Sequence, residues 1–99
     1  MAEVVFRQRA WRDLDQIDAR IALDNPAAAQ RFRANVLRRI SLLERLPESA
    51  QLRPEFGPNI RTIPIGRYIV ILRVEGPKVI VLRIVHGARD LPRLLKARP

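Results

Sequence analysis

The sequence contains no cysteine and a single histidine, His86. Without cysteine, a disulfide scaffold and a thiolate metal site are both excluded, and one histidine cannot build a metal site by itself. We therefore expect neither a metal ion nor an organic cofactor. No apolar run approaches the roughly 20 residues of a membrane span, and the N-terminus lacks the apolar region of a signal peptide. The expected location is the cytoplasm, away from the membrane.

Aromatic residues and lysines are also scarce. Aromatic residues make up 5% of the chain, which argues against a surface that stacks unpaired bases. Of the 19 basic residues 17 are arginine, and with 10 acidic residues the net charge is +9. Because a planar guanidinium pairs bidentately with carboxylate or phosphate, we expect an anionic partner, either nucleic acid or an acidic polypeptide. A basic surface that is merely solvated is the alternative.

The first half of the chain has the pattern of a strand followed by two helices, within one domain covering residues 1–99. A short β-prone run, Val4-Val5-Phe6, precedes apolar residues at helical spacing (Ala10, Leu14, Ile17 and Ile21). Asn25 and Pro26 suit the N-cap and the first position of a second helix. The two facing apolar stripes and their short link predict an antiparallel helical hairpin. We expect three aspartates of the first helix, Asp13, Asp15 and Asp18, to form a solvated face.

The second half has the pattern of a β-sheet. Residues 47–59 are rich in proline and show no clean period, which predicts a loop. Strands are predicted at 60–65, 68–74 and 79–85, with a tight turn at Gly76, and Asp90 suits the cap of a short helix over 91–96. The fold class is therefore α+β: a strand, a two-helix antiparallel hairpin, a three-stranded antiparallel sheet and a short C-terminal helix.

The last two predicted strands are apolar on both faces. Two helices can cover only one face of a sheet, so the other apolar face needs a different cover. Ile69 and Ile71 lie on the uncovered face, next to Arg73 and Arg83 along the strands. A contiguous exposed apolar surface commonly marks a protein interface, so the sequence predicts a binding surface there. The alternative is that the loop at 47–59 folds over this face.

Four groups of residues together resemble the ParE/RelE superfamily of type II toxins, over nearly the whole chain. They are Ala10 with Asp13-Leu14 and Ile17, then Asn25-Pro26-Ala27-Ala28-Ala29, Gly66-Arg67-Tyr68-Ile69-Val70, and Ile84-Val85-His86-Gly87-Ala88-Arg89-Asp90. The closing His-Gly-Ala-Arg-Asp is closer to the ParE branch than to the ribosome-dependent nucleases of the RelE branch.

The resemblance implies a toxin that binds and poisons DNA gyrase without covalent chemistry. It also implies a hetero-oligomer with an acidic, ParD-like antitoxin whose C-terminal segment wraps the toxin. We expect the antitoxin to contact Trp11, Ile69, Ile71, Arg73 and Arg83, since tryptophan and arginine are common interface anchors. We expect the target to be bound by Arg67, Arg83 and Arg89.

Two other functions remain open. The RelE branch cleaves mRNA on the ribosome, and Arg67 and Arg89 match arginine positions of that branch, with His86 as a substitute proton donor. Residues 91–99 hold no tyrosine or histidine, so the acid/base set is incomplete and no catalytic residue is expected in the ParE interpretation. The third function is a plain basic nucleic-acid-binding module, whose affinity would fall steeply with salt.

Overall fold

The computed structural model describes residues 1–87 and confirms the predicted α+β class. The helices are α1 (Gln8–Asp24) and α2 (Pro26–Leu42), and the strands are β1 (Glu3–Phe6), β2 (Gln51–Leu52), β3 (Ile60–Ile65), β4 (Tyr68–Glu75) and β5 (Lys78–His86). Short 3₁₀ turns occupy Pro47–Ser49 and Pro54–Phe56. The short C-terminal helix predicted after Asp90 lies outside the described residues.

The two helices form the predicted hairpin, joined at a single residue. The Asn25 side-chain oxygen accepts a hydrogen bond from the Ala28 backbone N–H at 3.0 Å, which satisfies one of the unpaired donors of the first turn. Pro26 follows at the first helical position, where its missing N–H is not needed. Asn25 also ends α1, because its backbone N–H donates to the Ile21 carbonyl at 2.9 Å. These local contacts explain why the link is so short.

Within the described residues the strands form one sheet in the order β1-β5-β4-β3-β2. The predicted strands β3, β4 and β5 are antiparallel neighbours, and Gly76 adopts a φ of +57° in the turn between β4 and β5. Two further strands join them. β1 pairs in parallel with β5, from Glu3 opposite Lys78 to Phe6 opposite Val81, and the two-residue β2 pairs with β3 inside the segment predicted as a loop.

The main core lies between the helices and one face of the sheet. Its fully buried residues come from both helices and from the central strands, and include Leu14, Val36, Val70, Leu72 and Val81. The stripes predicted for the two helices therefore face the sheet, as their periodicity requires. No helix in residues 1–87 is long and apolar enough to cross a membrane.

The second face of the sheet is covered, and the prediction that Ile71 would be exposed there is wrong. Ile71 has no exposed surface and lies in a second buried cluster with Ile60, Leu82 and Val85. The side chain of Phe56, from the loop between β2 and β3, packs against this cluster. This contact supports the alternative, because the loop at 47–59 covers part of the apolar face through Phe56.

Candidate functional site

A small cavity of about 120 Å³ lies between α1 and the adjoining ends of β4 and β5. Helix α1 contributes Arg9, Asp13, Gln16, Ile17 and Arg20, and the strands contribute Tyr68, Arg83, Ile84, Val85 and His86. The polar helical residues recur at intervals of four, three and four, which places them on one face of α1. The cavity is smaller than the pockets that hold organic ligands, and its size suits a single carboxylate or phosphate group.

Asp13 is the buried centre of this site, with 5% of its side chain exposed. Arg83 donates from Nε to Oδ2 at 2.7 Å and from Nη2 to Oδ1 at 3.3 Å, which is a bidentate pair. The backbone N–H of Ile84 donates to the same Oδ2 at 2.9 Å. Arg9 adds a longer contact, with Nε 3.4 Å from Oδ1. A carboxylate with these four contacts joins α1 firmly to β5.

The position of Asp13 follows from where β1 ends. The last residue of β5 that pairs with β1 is Val81, opposite Phe6, so the backbone of β5 continues past its neighbouring strand. The Asp13 carboxylate lies alongside that continuation and accepts the Ile84 N–H, as a strand carbonyl would. The prediction that Asp13 belongs to a solvated face is therefore wrong. Asp15 and Asp18 do lie on the outer part of α1, where both contact Arg33 of α2 at 2.6 and 3.3 Å.

An aromatic row borders the other side of the cavity. Tyr68 begins β4 and lies opposite His86 at the end of β5, with the ring centroids 5.5 Å apart and edge to face. The Tyr68 ring also meets Phe32 of α2 edge to face at 5.2 Å. Since Phe32 is buried and His86 is exposed, the row runs from the core to the surface. It holds His86 at the rim of the cavity.

The charge of the cavity is positive. Among residues 1–87, Arg9, Arg20 and Arg83 line it, and Asp13 is the one carboxylate in the lining. Three guanidinium groups beside one carboxylate leave a net charge of about +2, which favours an anionic group over a neutral one. The sequence interpretation missed Arg9, Gln16 and Arg20, although their helical spacing with Asp13 was a readable signal.

The residues predicted to bind the target are only partly brought together. Arg83 lines the cavity, as does His86, which was predicted only for the nuclease alternative. Arg67 is exposed in the turn between β3 and β4 and is absent from the lining, although its backbone carbonyl accepts the Gly87 N–H at 2.8 Å. Arg89 lies outside the described residues. The described part of the predicted nuclease set is therefore divided between the cavity and a neighbouring turn.

The residues predicted to contact an antitoxin lie in different environments. Trp11 is 42% exposed and stacks on Phe6 of the edge strand β1, with ring centroids 4.1 Å apart. Ile69 is half-buried, and Arg73 is 19% exposed and pairs with Glu75 at 3.3 Å. Ile71 is buried, and Arg83 is held by Asp13. Trp11 is thus the most accessible of the five.

Comparison with known proteins identifies the family. Residues 4–91 match the family described as the ParE toxin of the type II toxin-antitoxin system parDE. The chain belongs to the ParE toxin family. Because the match spans nearly the whole sequence, it includes both helices and every strand from β2 to β5, and it confirms the assignment to the ParE branch. No curated protein matches the sequence significantly.

Solved structures of the ParE and RelE toxins share the fold. A chain of the chromosomal ParDE toxin-antitoxin system from P. aeruginosa is 24% identical, with 87% of this chain and 96% of that one covered and a TM-score of 0.72. A chain of the RelBE2 toxin-antitoxin complex from Mycobacterium tuberculosis is 27% identical, with 86% and 96% covered and a TM-score of 0.53. A chain of the intact E. coli RelBE complex is 15% identical, with 90% and 100% covered and a TM-score of 0.57.

Proposed function

We propose that this ParE-family chain is the toxic component of a toxin-antitoxin pair and that it inhibits DNA gyrase by binding, without covalent chemistry of its own. The bidentate pair between Arg83 and Asp13 is the observation that supports a function without covalent catalysis. A guanidinium that already binds a buried carboxylate is poorly placed to stabilise the charge that develops on a cleaved phosphate. Arg83 then holds the shape of the site, and exposed residues around it contact the target.

A second candidate is a ribosome-dependent mRNA endonuclease, and one observation favours it. His86 lies at the rim of a positively charged cavity, and histidine is the residue that most often transfers protons in enzymes. Phosphodiester cleavage also needs cationic groups beside the proton donor at one phosphate. Arg67, the described arginine of the nuclease pattern, does not line that cavity. The binding function is therefore the better supported of the two.

We propose that neutralisation comes from an acidic, ParD-like antitoxin in a hetero-oligomer. The chain carries a net charge of +9, so an acidic polypeptide is electrostatically complementary to it. Trp11 is the contact we place first, because it is large, partly exposed and fixed by its stack on Phe6. Rigid aromatic side chains lose little conformational entropy on binding, which makes them effective anchors. The similar RelBE2 and RelBE structures are toxin-antitoxin complexes, which supports a partner of this kind.

The test compares the two targets directly with the full chain. Purified protein is added to gyrase with supercoiled plasmid, and separately to ribosomes programmed with mRNA. We expect linear, protein-linked DNA to accumulate and mRNA to remain intact. The variant His86→Gln tests proton transfer, because glutamine keeps a polar side chain at the rim but does not titrate. We expect His86→Gln to keep gyrase inhibition within about threefold of the unsubstituted protein.

The opposite pattern would overturn the proposal. If mRNA is cut on ribosomes, if gyrase is unaffected, and if His86→Gln abolishes the cleavage while antitoxin binding survives, the chain is a nuclease. The matched control is Gln16→Ala, which changes another polar residue of the cavity without removing a titrating group. Loss of cleavage in His86→Gln but not in Gln16→Ala would assign the proton transfer to His86.

A further inference from the structure

Helix α2 carries a straight row of arginines on the side that faces solvent. Arg31 and Arg38 are seven residues apart in α2, and Arg45 follows after another seven in the turn that ends the helix. Seven residues are close to two helical turns, so Arg31 and Arg38 point in nearly the same direction. The turn at 43–45 continues the helical sense with hydrogen bonds between residues three apart, such as Arg45 N–H to the Leu42 carbonyl, which keeps Arg45 on the same side. All three are exposed. We call this set the arginine row.

The row lies opposite the buried face of α2. The buried face is formed by Ala29, Phe32, Val36 and Ile40, and at 100° per residue the arginine row falls on the far side of the helix. The nearest positions on the same side between the arginines hold the exposed small residues Ala34 and Ser41 and the half-buried residues Asn35 and Leu42. A partner can therefore approach the helix backbone closely while the arginines extend around it.

The charge of the row is not neutralised within the described part of the chain. Helix α2 contains no acidic residue at all. Arg33, on the side towards α1, pairs with Asp15 and Asp18, whereas no ion pair in residues 1–87 involves a member of the row. Arg38 donates to the side-chain oxygen of Asn35, which is neutral and leaves the positive charge in place.

We propose that the arginine row binds the phosphate backbone of double-stranded DNA. From Arg31 to Arg45 the row is about 21 Å long at 1.5 Å per residue. A DNA duplex carries one negative charge per about 1.7 Å of its axis, both strands counted, so a segment of this length carries roughly 12 phosphate charges. A linear array of cations is complementary to such a rod. The proposal goes beyond inhibition of gyrase and does not depend on it.

The composition of the face distinguishes DNA from other anionic partners. A protein interface has an apolar or aromatic centre, whereas the side chains between these arginines are small or polar apart from one half-buried leucine, Leu42. Single-stranded nucleic acid is bound by stacking on aromatic rings, and none lies on this face. The phosphates of B-form DNA border a groove about 12 Å wide that admits a helix, whereas the corresponding groove of duplex RNA is narrow and deep.

The test measures the salt dependence of binding to a fluorescein-labelled 20-base-pair DNA duplex without gyrase. The full chain is compared with the triple variant Arg31→Gln, Arg38→Gln, Arg45→Gln. If each arginine neutralises one phosphate, the slope of log K against log salt becomes shallower by about 2.7 in the variant. The contribution of the row to affinity then falls by about 40-fold between 50 and 200 mM salt. The changes are on the outer face of α2, so circular dichroism should show the same fold.

The matched control is the triple variant Arg7→Gln, Arg12→Gln, Lys78→Gln, which removes the same charge from exposed positions elsewhere. We expect its slope to stay within about 0.5 of that of the unsubstituted protein. Equal losses in the two triple variants would overturn the proposal, because net charge alone would then explain binding. It would also fail if the arginine-row variant lost affinity for polyglutamate but not for the duplex, or if an RNA duplex bound more tightly than DNA. Gyrase inhibition is scored separately, so either proposal can fail alone.

Discussion

The contacts of Asp13 lead to a quantitative prediction for Asp13→Ala. The substitution leaves the buried Ile84 N–H without its acceptor, and an unsatisfied buried donor costs about 2 kcal/mol. It also leaves Arg83 without its carboxylate. Breaking a fully buried pair costs about 3–5 kcal/mol, but Arg83 is 18% exposed and regains part of its hydration, so we assign about 1–2 kcal/mol. The expected loss in the free energy of unfolding is about 3–4 kcal/mol.

A loss of this size is large for a chain of 99 residues, because domains of this length are commonly stable by only about 5–15 kcal/mol. At about 5 °C per kcal/mol for a chain of this length, it lowers the melting temperature by roughly 15–20 °C. The measurement is thermal and urea unfolding followed by circular dichroism. Asp13→Asn should be milder, at about 1–2 kcal/mol, since its amide oxygen still accepts the Ile84 N–H while the ion pair with Arg83 is lost.

The matched control is Asp15→Ala, two residues away on the same helix. Asp15 also pairs with an arginine, Arg33, but 67% of its side chain is exposed. Exposed pairs contribute about 0–1 kcal/mol, so this variant should be nearly as stable as the unsubstituted chain. Asp13→Ala should therefore lower stability more than Asp15→Ala. Equal losses would refute the role of Asp13 as the buried acceptor that pairs with β5 where β1 ends.

Three further outcomes are expected. Asn25→Ala should lower the free energy of unfolding by about 1 kcal/mol in urea titration, because the first turn of α2 loses its cap; an unchanged midpoint would contradict this role. Gly76→Ala should cost about 1–2 kcal/mol through its positive φ alone, since an added Cβ meets no atom within 4 Å. Trp11→Ala should weaken antitoxin binding by about 2 kcal/mol in calorimetry, whereas Leu23→Ala, at a site that is 87% exposed, should leave it unchanged. If these two variants bind the antitoxin with equal affinity, Trp11 is not part of the interface.

The features that could be predicted from the sequence are those formed by neighbouring residues. Asn25 and Pro26 define the link between the helices because a cap bond spans three residues. Gly76 marks the turn between β4 and β5 because only glycine adopts a positive φ without strain. The apolar period of each helix likewise indicates its buried face. Each of these signals lies within a short window, so no knowledge of the rest of the chain is needed.

The site and the cover of the sheet depend on contacts between distant residues. Asp13 and Arg83 are 70 residues apart, and nothing near Asp13 distinguishes it from the exposed aspartates that follow. Ile71 is buried in a cluster with Ile60, Leu82 and Val85, against which Phe56 of a separate loop packs. The parallel pairing of β1 with β5 joins the two ends of the domain and stops at Phe6, which opens the position that Asp13 fills. The sequence alone determined the two helices with their buried faces and the three antiparallel strands, because those depend on local geometry. Only the tertiary structure decided which charged side chains are buried and paired, because their burial depends on which distant segments of the chain pack against them.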